Sequence, residues 1–233
     1  MNRADLQMYL WFYEWNLFEA VVQGEHTPGN WPPHKTIGAD GKHATVTHPG
    51  MALQVAARDD GAQLGLSVRN ESDHDWPEVA AIIPCFNPGA PEIESAPPTQ
   101  AFYDEEHQRT WFASRAGLEL LTNRAIHFNH ALRPAIDDRS QDERFVFSDK
   151  WPTSPVDAAA GLLLRESSDG RWVAGIAWDD FVSAQGHNPW RCMHLSIRLG
   201  PLRRGETKEL RGRLYLMEST KEACYKAFKQ EFA

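Results

Sequence analysis

The chain has 233 residues, 42% of them hydrophobic, enough to bury a sizeable core, and no low-complexity tract that would keep it disordered. Lys and Arg number 24 against 32 Asp and Glu, a net charge of -8 with neutral histidine, so a nucleic-acid backbone would be repelled and that partner class is disfavoured. The three cysteines, Cys85, Cys192 and Cys224, are few, scattered and without a Cys-x-x-Cys pair; they read as reduced thiols rather than a disulfide framework or a structural zinc motif.

Residues 4–22 are ambiguous. Leu6, Tyr9, Leu10, Tyr13 and Leu17 fit one helical stripe, but Trp11, Phe12, Trp15 and Phe18 fill the other faces, and a segment apolar all round is either buried or docks on something else. Glu14 and Glu19 interrupt it, so neither a signal peptide nor a membrane span is expected, and a cytoplasmic location follows. From His34 to about Ile83 short runs alternate with turn signals such as Asp40-Gly41, Pro49-Gly50 and Asp59-Asp60-Gly61. Met51, Leu53 and Val55, then Leu64, Leu66 and Val68, mark half-buried antiparallel strands.

The Pro- and Gly-rich span from Pro84 to Pro98 predicts a long loop, because its prolines lack ladder donors. Asn87 is its favoured ligand-facing residue, since loops at strand ends are where ligands meet a sandwich. Further strands are expected near 109–113, 118–121, 125–130, 144–148, 161–166 and 171–178. A hairpin then joins Arg191–Leu199 to Thr207–Met217. Ser219 and Glu222 have capping-box spacing, and Cys224, Tyr225, Phe228 and Phe232 form the apolar stripe of a helix that closes an edge or open end. These elements predict an all-β fold: a large two-sheet antiparallel β-sandwich, one domain over 1–233, with an aromatic N-terminal segment in 1–30 and a closing helix over 219–232.

The richest stretch runs from Gly186 to Leu199. Met193, Leu195, Ile197 and Leu199 share one face of its strand, while Cys192, His194, Ser196 and Arg198 share the other. If the strand pairs with Thr207–Met217, then Arg211, Arg213 and Tyr215 join that second face. Arginine forks and a tyrosine suit carboxylates and hydroxyl-rich ligands, although a solvated outer face with cross-strand polar pairs would read the same. His187 and His194 are the candidate acid/base residues. His187, Asn188 and Trp190 sit in the turn before the strand, where Asn188 either caps the turn or meets ligand. Cys192 and His194 also offer two metal ligands or a thiol with a base, but either use needs a third partner.

Glu25 and His26 form a second polar cluster, readable as an acid/base couple or as an ordinary turn. His127 to His130 alternates faces and makes a poor two-histidine clamp, so a structural role is expected. The Asp104-Glu105-Glu106-His107 and Asp137–Glu143 runs read as solvated loops. Trp11, Trp15, Trp31 and Trp190 flank the polar clusters, and aromatic faces beside arginine, asparagine and histidine suit a carbohydrate cleft or a protein interface.

The run Leu199-Gly200-Pro201-Leu202-Arg203-Arg204-Gly205-Glu206, the strand Leu210–Leu216 and the closing helix resemble the end of galactose-mutarotase-like, carbohydrate-processing super-sandwich modules. The Tyr9–Phe18 segment with its Gly-Glu-His turn likewise resembles the openings of some sugar-degrading enzymes. These resemblances imply a carbohydrate- or sugar-acid-binding protein, with enzymatic epimerase, lyase or hydrolase chemistry through a histidine left open. The expected substrate-binding set is Glu25, His26, Asn87, Asn188, Trp190, Cys192, Arg198, Arg211, Arg213 and Tyr215, with no cofactor specified. Two alternatives stand beside it: a metal-dependent enzyme in which His26, His187 and His194 converge, and a non-catalytic module docking, on a partner or on a second copy, through the N-terminal aromatic segment.

Overall fold

The computed structural model describes residues 8–17, 34–88, 102, 109–139, 151–188 and 191–232. In chain order the elements are β1 (Met8–Leu17), β2 (His34–Ile37), β3 (His43–His48), β4 (Met51–Arg58), β5 (Gly61–Arg69), β6 (Ala81–Pro88), β7 (Thr110–Ser114), β8 (Gly117–Leu120), β9 (His127–Phe128), α1 (Arg133–Arg139), β10 (Ala158–Glu166), β11 (Val173–Trp178), β12 (Phe181–Gln185), β13 (Met193–Arg198), β14 (Thr207–Met217) and α2 (Lys221–Glu231). The strands form two antiparallel sheets, one of five in the order β1-β6-β13-β12-β9 and one of nine in the order β2-β3-β4-β5-β14-β11-β10-β7-β8. This is the all-β sandwich that the alternation predicts. Among the described residues no helix is long and apolar enough to cross a membrane.

The core lies between the sheets. Met193, Leu195 and Ile197 of β13 meet Leu53, Leu64, Leu66, Leu210 and Leu214 of the opposite sheet in one buried cluster, so the period-two pattern sorts each strand into an inner and an outer face. At Gly61 the backbone has φ +137° and a Cβ would sit 1.9 Å from the Leu214 carbonyl oxygen. Only glycine fits where β5 starts against β14.

Several expectations need correction. β13 and β14 are not a hairpin: β13 lies between β6 and β12, and β14 between β5 and β11. Both strands turn their leucines to one core, and alternation alone does not separate a hairpin from a corner at which the chain changes sheets. That corner is pinned by the Trp76–Leu202 bridge and by Asn70 Nδ2 donating to the Leu202 carbonyl at 2.9 Å. The loop expected from Pro84 does not start there, because β6 continues to Pro88 and carries Asn87; residues 89–98 of the expected loop fall outside the described residues. Pro84 is tolerated where the β1–β6 register shifts between Trp11 and Trp15, as a bulge accommodates a missing donor.

The N-terminal segment that is ambiguous in sequence is strand β1 over Met8–Leu17, which pairs with β6; aromatic residues suit a strand, and edge pairing sets its conformation. Of the Asp137–Glu143 run expected as a solvated loop, Asp137–Arg139 instead end the short helix α1 (Arg133–Arg139), and 140–143 fall outside the described residues. The last helix takes Thr220, not Ser219, as N-cap, with its side chain accepting from the Ala223 amide, and it lies on a sheet face rather than closing an end. The expected strand at 144–148 and the Asp104–His107 run fall outside the described residues.

Candidate functional site

The outer face of the five-stranded sheet carries an unusual buried polar cluster. Cys192 and His194 project to the same side as residues i and i+2, and His194 stands directly opposite Cys85 across the β6–β13 ladder. All three are buried, and the Cys85 thiol, the Cys192 thiol and an imidazole nitrogen of His194 lie within 4.8 Å of one another. The residue that the fold brings beside Cys192 and His194 is therefore Cys85. Around it, Asn87 Nδ2 contacts Cys85 Sγ at 3.4 Å, and the Trp151 ring stands edge-on to the His194 imidazole at 6.1 Å beneath the Arg124 guanidinium. Further along the face the hydroxyls of Ser183 and Ser196 meet at 2.8 Å.

A tight turn delivers Cys192. Arg191 has φ 57°, a left-handed backbone that non-glycine residues adopt only when held there. The holding is visible: Arg191 N–H donates to the Asn188 carbonyl at 3.1 Å, Asn188 Nδ2 donates to the Cys192 carbonyl at 2.7 Å, and the buried Arg165 guanidinium donates to the Arg191 carbonyl, the Gly186 carbonyl at 3.2 Å and Thr110 Oγ1 at 2.8 Å. Asn188 thus caps the turn. His187, half-buried in the same turn, has a Nδ1 that makes no hydrogen bond among the described residues. Burial and the nearby Arg165 charge hold its imidazole below the ordinary histidine range, so it is neutral at pH 7.

The outer face of the nine-stranded sheet is divided. Over β7, β10, β11 and the end of β14, helix α2 buries Cys224 and Phe228 against Leu162, Leu164, Val173 and Tyr215. Burial pushes the Cys224 thiol up to about 12 and raises the Tyr215 phenol, whose hydroxyl donates to Glu231 at 2.8 Å. Beyond the helix end the same face opens into a groove of about 580 Å³ over β3, β4, β5 and β14. Two cross-strand rows form its floor: Thr45, Gln54, Gly65, Arg211 and His43, Ala56, Gln63, Arg213. Glu231 and Phe232 of the helix end also line it.

Charge in the groove is mostly matched. Arg213 is buried and pairs with Asp60 and with Glu231 at 3.4 Å, while its Nη1 makes no hydrogen bond among the described residues. Arg211 is 72% exposed and reaches Asp179 at 3.3 Å. His43 Nδ1 lies 2.7 Å from Asp40 Oδ2, and the Lys42 amide and His43 hold the Asp40 carboxyl below the usual carboxylate range. An imidazole oriented by a carboxylate can carry a proton.

The single surface expected from His194 to Tyr215 therefore does not exist. Asn87, Asn188, Cys192 and His194 gather on one sheet; Arg211 and Arg213 lie on the other, around the groove; Tyr215 is buried under α2. Arg198 points from the far end of β13 and pairs with Glu78 at 3.0 Å and Asp180 at 3.6 Å. Glu25, His26 and Trp190 fall outside the described residues, so of the expected His26, His187 and His194 triad only His187 and His194 are described; the three-residue ligand group contains His194 with two cysteines. His127 has its structural role, donating through Nδ1 to the Val156 carbonyl at 2.8 Å. Sequence reasoning missed Cys85, Arg165 and the Asp40–His43 pair. Arg165 was signalled by a lone cation closing the run Leu162-Leu163-Leu164, and the pair by its Asp-x-x-His spacing in a turn.

No protein-family model and no curated protein matches the sequence. Among solved structures, a polysaccharide lyase is similar at 10% identity and a TM-score of 0.36, over 79% of this chain. This chain spans 23% of the length of that protein.

Proposed function

We propose that the protein binds a carbohydrate or sugar acid in the groove on the nine-stranded sheet. The observation that carries this reading is the composition of the groove: a floor of amides and hydroxyls opened by Gly65, an exposed Arg211 at its edge and Phe232 on its wall. Gln54 and Gln63 offer both donors and acceptors to hydroxyls, Arg211 offers a fork for a carboxylate, and an aromatic ring suits the apolar face of a pyranose. The C-terminal resemblance to galactose-mutarotase-like sandwiches agrees with it.

Titration calorimetry with neutral and uronic oligosaccharides tests the reading. Gln54→Ala and Arg211→Ala should each weaken binding about 10-fold, roughly the worth of one hydrogen bond, with Arg211→Ala acting mainly on the uronic ligands. A panel bound equally by wild type and both variants, or by neither, would reject it.

The Asp40–His43 contact favours a second reading, in which the groove also turns its ligand over by proton transfer. His43 then replaces His187 and His194 as the working imidazole, because those two lie on the other sheet. Product formation from the ligands bound by wild type should disappear in His43→Ala while binding persists; no turnover by wild type leaves a binding protein only.

A further inference from the structure

We propose that Cys85, Cys192 and His194 bind a single zinc ion on the outer face of the five-stranded sheet. The site is separate from the saccharide groove, and neither reading depends on the other. His194 on β13 and Cys85 directly across on β6 are fixed by the backbone ladders on both sides of these strands, and Cys192, immediately before β13, is held in place by the Asn188–Arg191 turn, so the three form a triangle. Rigid strands are a good platform for ligands, because the ladder rather than flexible side chains sets their spacing. Tetrahedral zinc at thiolate and imidazole distances keeps its ligand atoms roughly 3.5–3.8 Å apart. The present separations, all within 4.8 Å, need only small side-chain rotations to reach that.

The donor set decides the metal. Two thiolates and an imidazole are soft to borderline ligands and select Zn²⁺ or Cu⁺ over Mg²⁺ or Ca²⁺. In a buried site, Zn²⁺ with two thiolates has no net charge, whereas Cu⁺ would leave one negative charge to desolvate. Zinc is therefore the occupant. Three protein ligands leave a fourth position, and the Asn87 amide stands beside it: its Nδ2 is 3.4 Å from Cys85 Sγ, and its Oδ1 is buried and makes no hydrogen bond among the described residues. Turning that amide exchanges the two atoms and presents an oxygen to the metal.

The test is metal titration of the full chain, reduced and stripped with a chelator. Zinc should bind at one equivalent per chain against a chromophoric competitor, and Co²⁺ should give the sulfur-to-metal charge-transfer band and intense visible bands of a tetrahedral thiolate site. Cys85→Ser, Cys192→Ser and His194→Gln should each lower zinc affinity more than about 100-fold, beyond the loss typical of an outer-shell partner, and Asn87→Ala should lower it less. The assignment fails if wild type shows no thiolate charge transfer with cobalt, if Cu⁺ is retained and zinc is not, or if the Cys85→Ser, Cys192→Ser double variant binds zinc as wild type does. The wild-type cobalt spectrum decides the matter even where a variant does not fold.

Discussion

The outer faces of the two sheets are built from similar residue types and behave in opposite ways. On the five-stranded sheet the polar side chains of Ser183, Gln185, Cys192, His194 and Ser196 are all buried, and most of their visible partners are other parts of the protein. On the nine-stranded sheet one half is sealed by α2, while on the other Gln54, Gln63 and Arg211 stay exposed around a groove. Alternation in sequence reports that a face is polar; it does not report whether that face is covered. A covered face satisfies its hydrogen-bonding groups within the protein, whereas an open face leaves them to solvent.

The contrast can be broken most severely at Arg165. Arg165→Met should cost about 3 kcal/mol or more, since two buried acceptors and one partly buried acceptor lose their donor at once, and urea unfolding measures it. The same substitution should release the partly buried Arg191 carbonyl and with it the turn that places Cys192. Phe228→Ala, which loosens the seal over the covered half of the nine-stranded sheet, should cost about 3 kcal/mol and make Cys224 alkylate faster at pH 8. Arg211→Ala should move the unfolding midpoint by less than about 0.5 kcal/mol, because its ion pair is exposed; a larger loss would mean the groove edge is structural.

The smallest effect is in pH. Burial lowers the imidazoles of His127 and His187 below the ordinary value of 6.5, so the unfolded chain takes up their protons first. Their contribution is complete above pH 6.5 and declines as pH falls below it. His127→Gln, which keeps a donor for Val156, should flatten the fall in urea midpoint between about pH 7 and about pH 5.5. The carboxyls of Asp73 and Asp169, held below 3.8 by hydrogen bonds from His74 and Ser167, keep their contribution at neutral pH and lose it only as the solution falls below that value.

Within single strands the sequence was a reliable guide. Leu64, Leu66 and Val68 on β5, and Met193, Leu195 and Ile197 on β13, face the core as their spacing requires. What stayed hidden was non-local. That His194 meets Cys85, more than a hundred positions away, depends on strand order and register, which no periodicity encodes. The same holds for Arg211 and Gly65. β12 was overlooked because Phe181–Gln185 is short and follows a two-residue turn, and the sheet change after β13 was invisible because both strands share one apolar core.

Gly65 has a further consequence. It occupies the middle of the groove floor between Gln54 and Arg211, and a methyl group added there would meet only Gln54 Cβ, at 4.0 Å. Its backbone does not need glycine, and strands tolerate larger residues well. The depth of the groove can therefore vary from shallow to blocked through one position that does not touch the core, with little effect on stability.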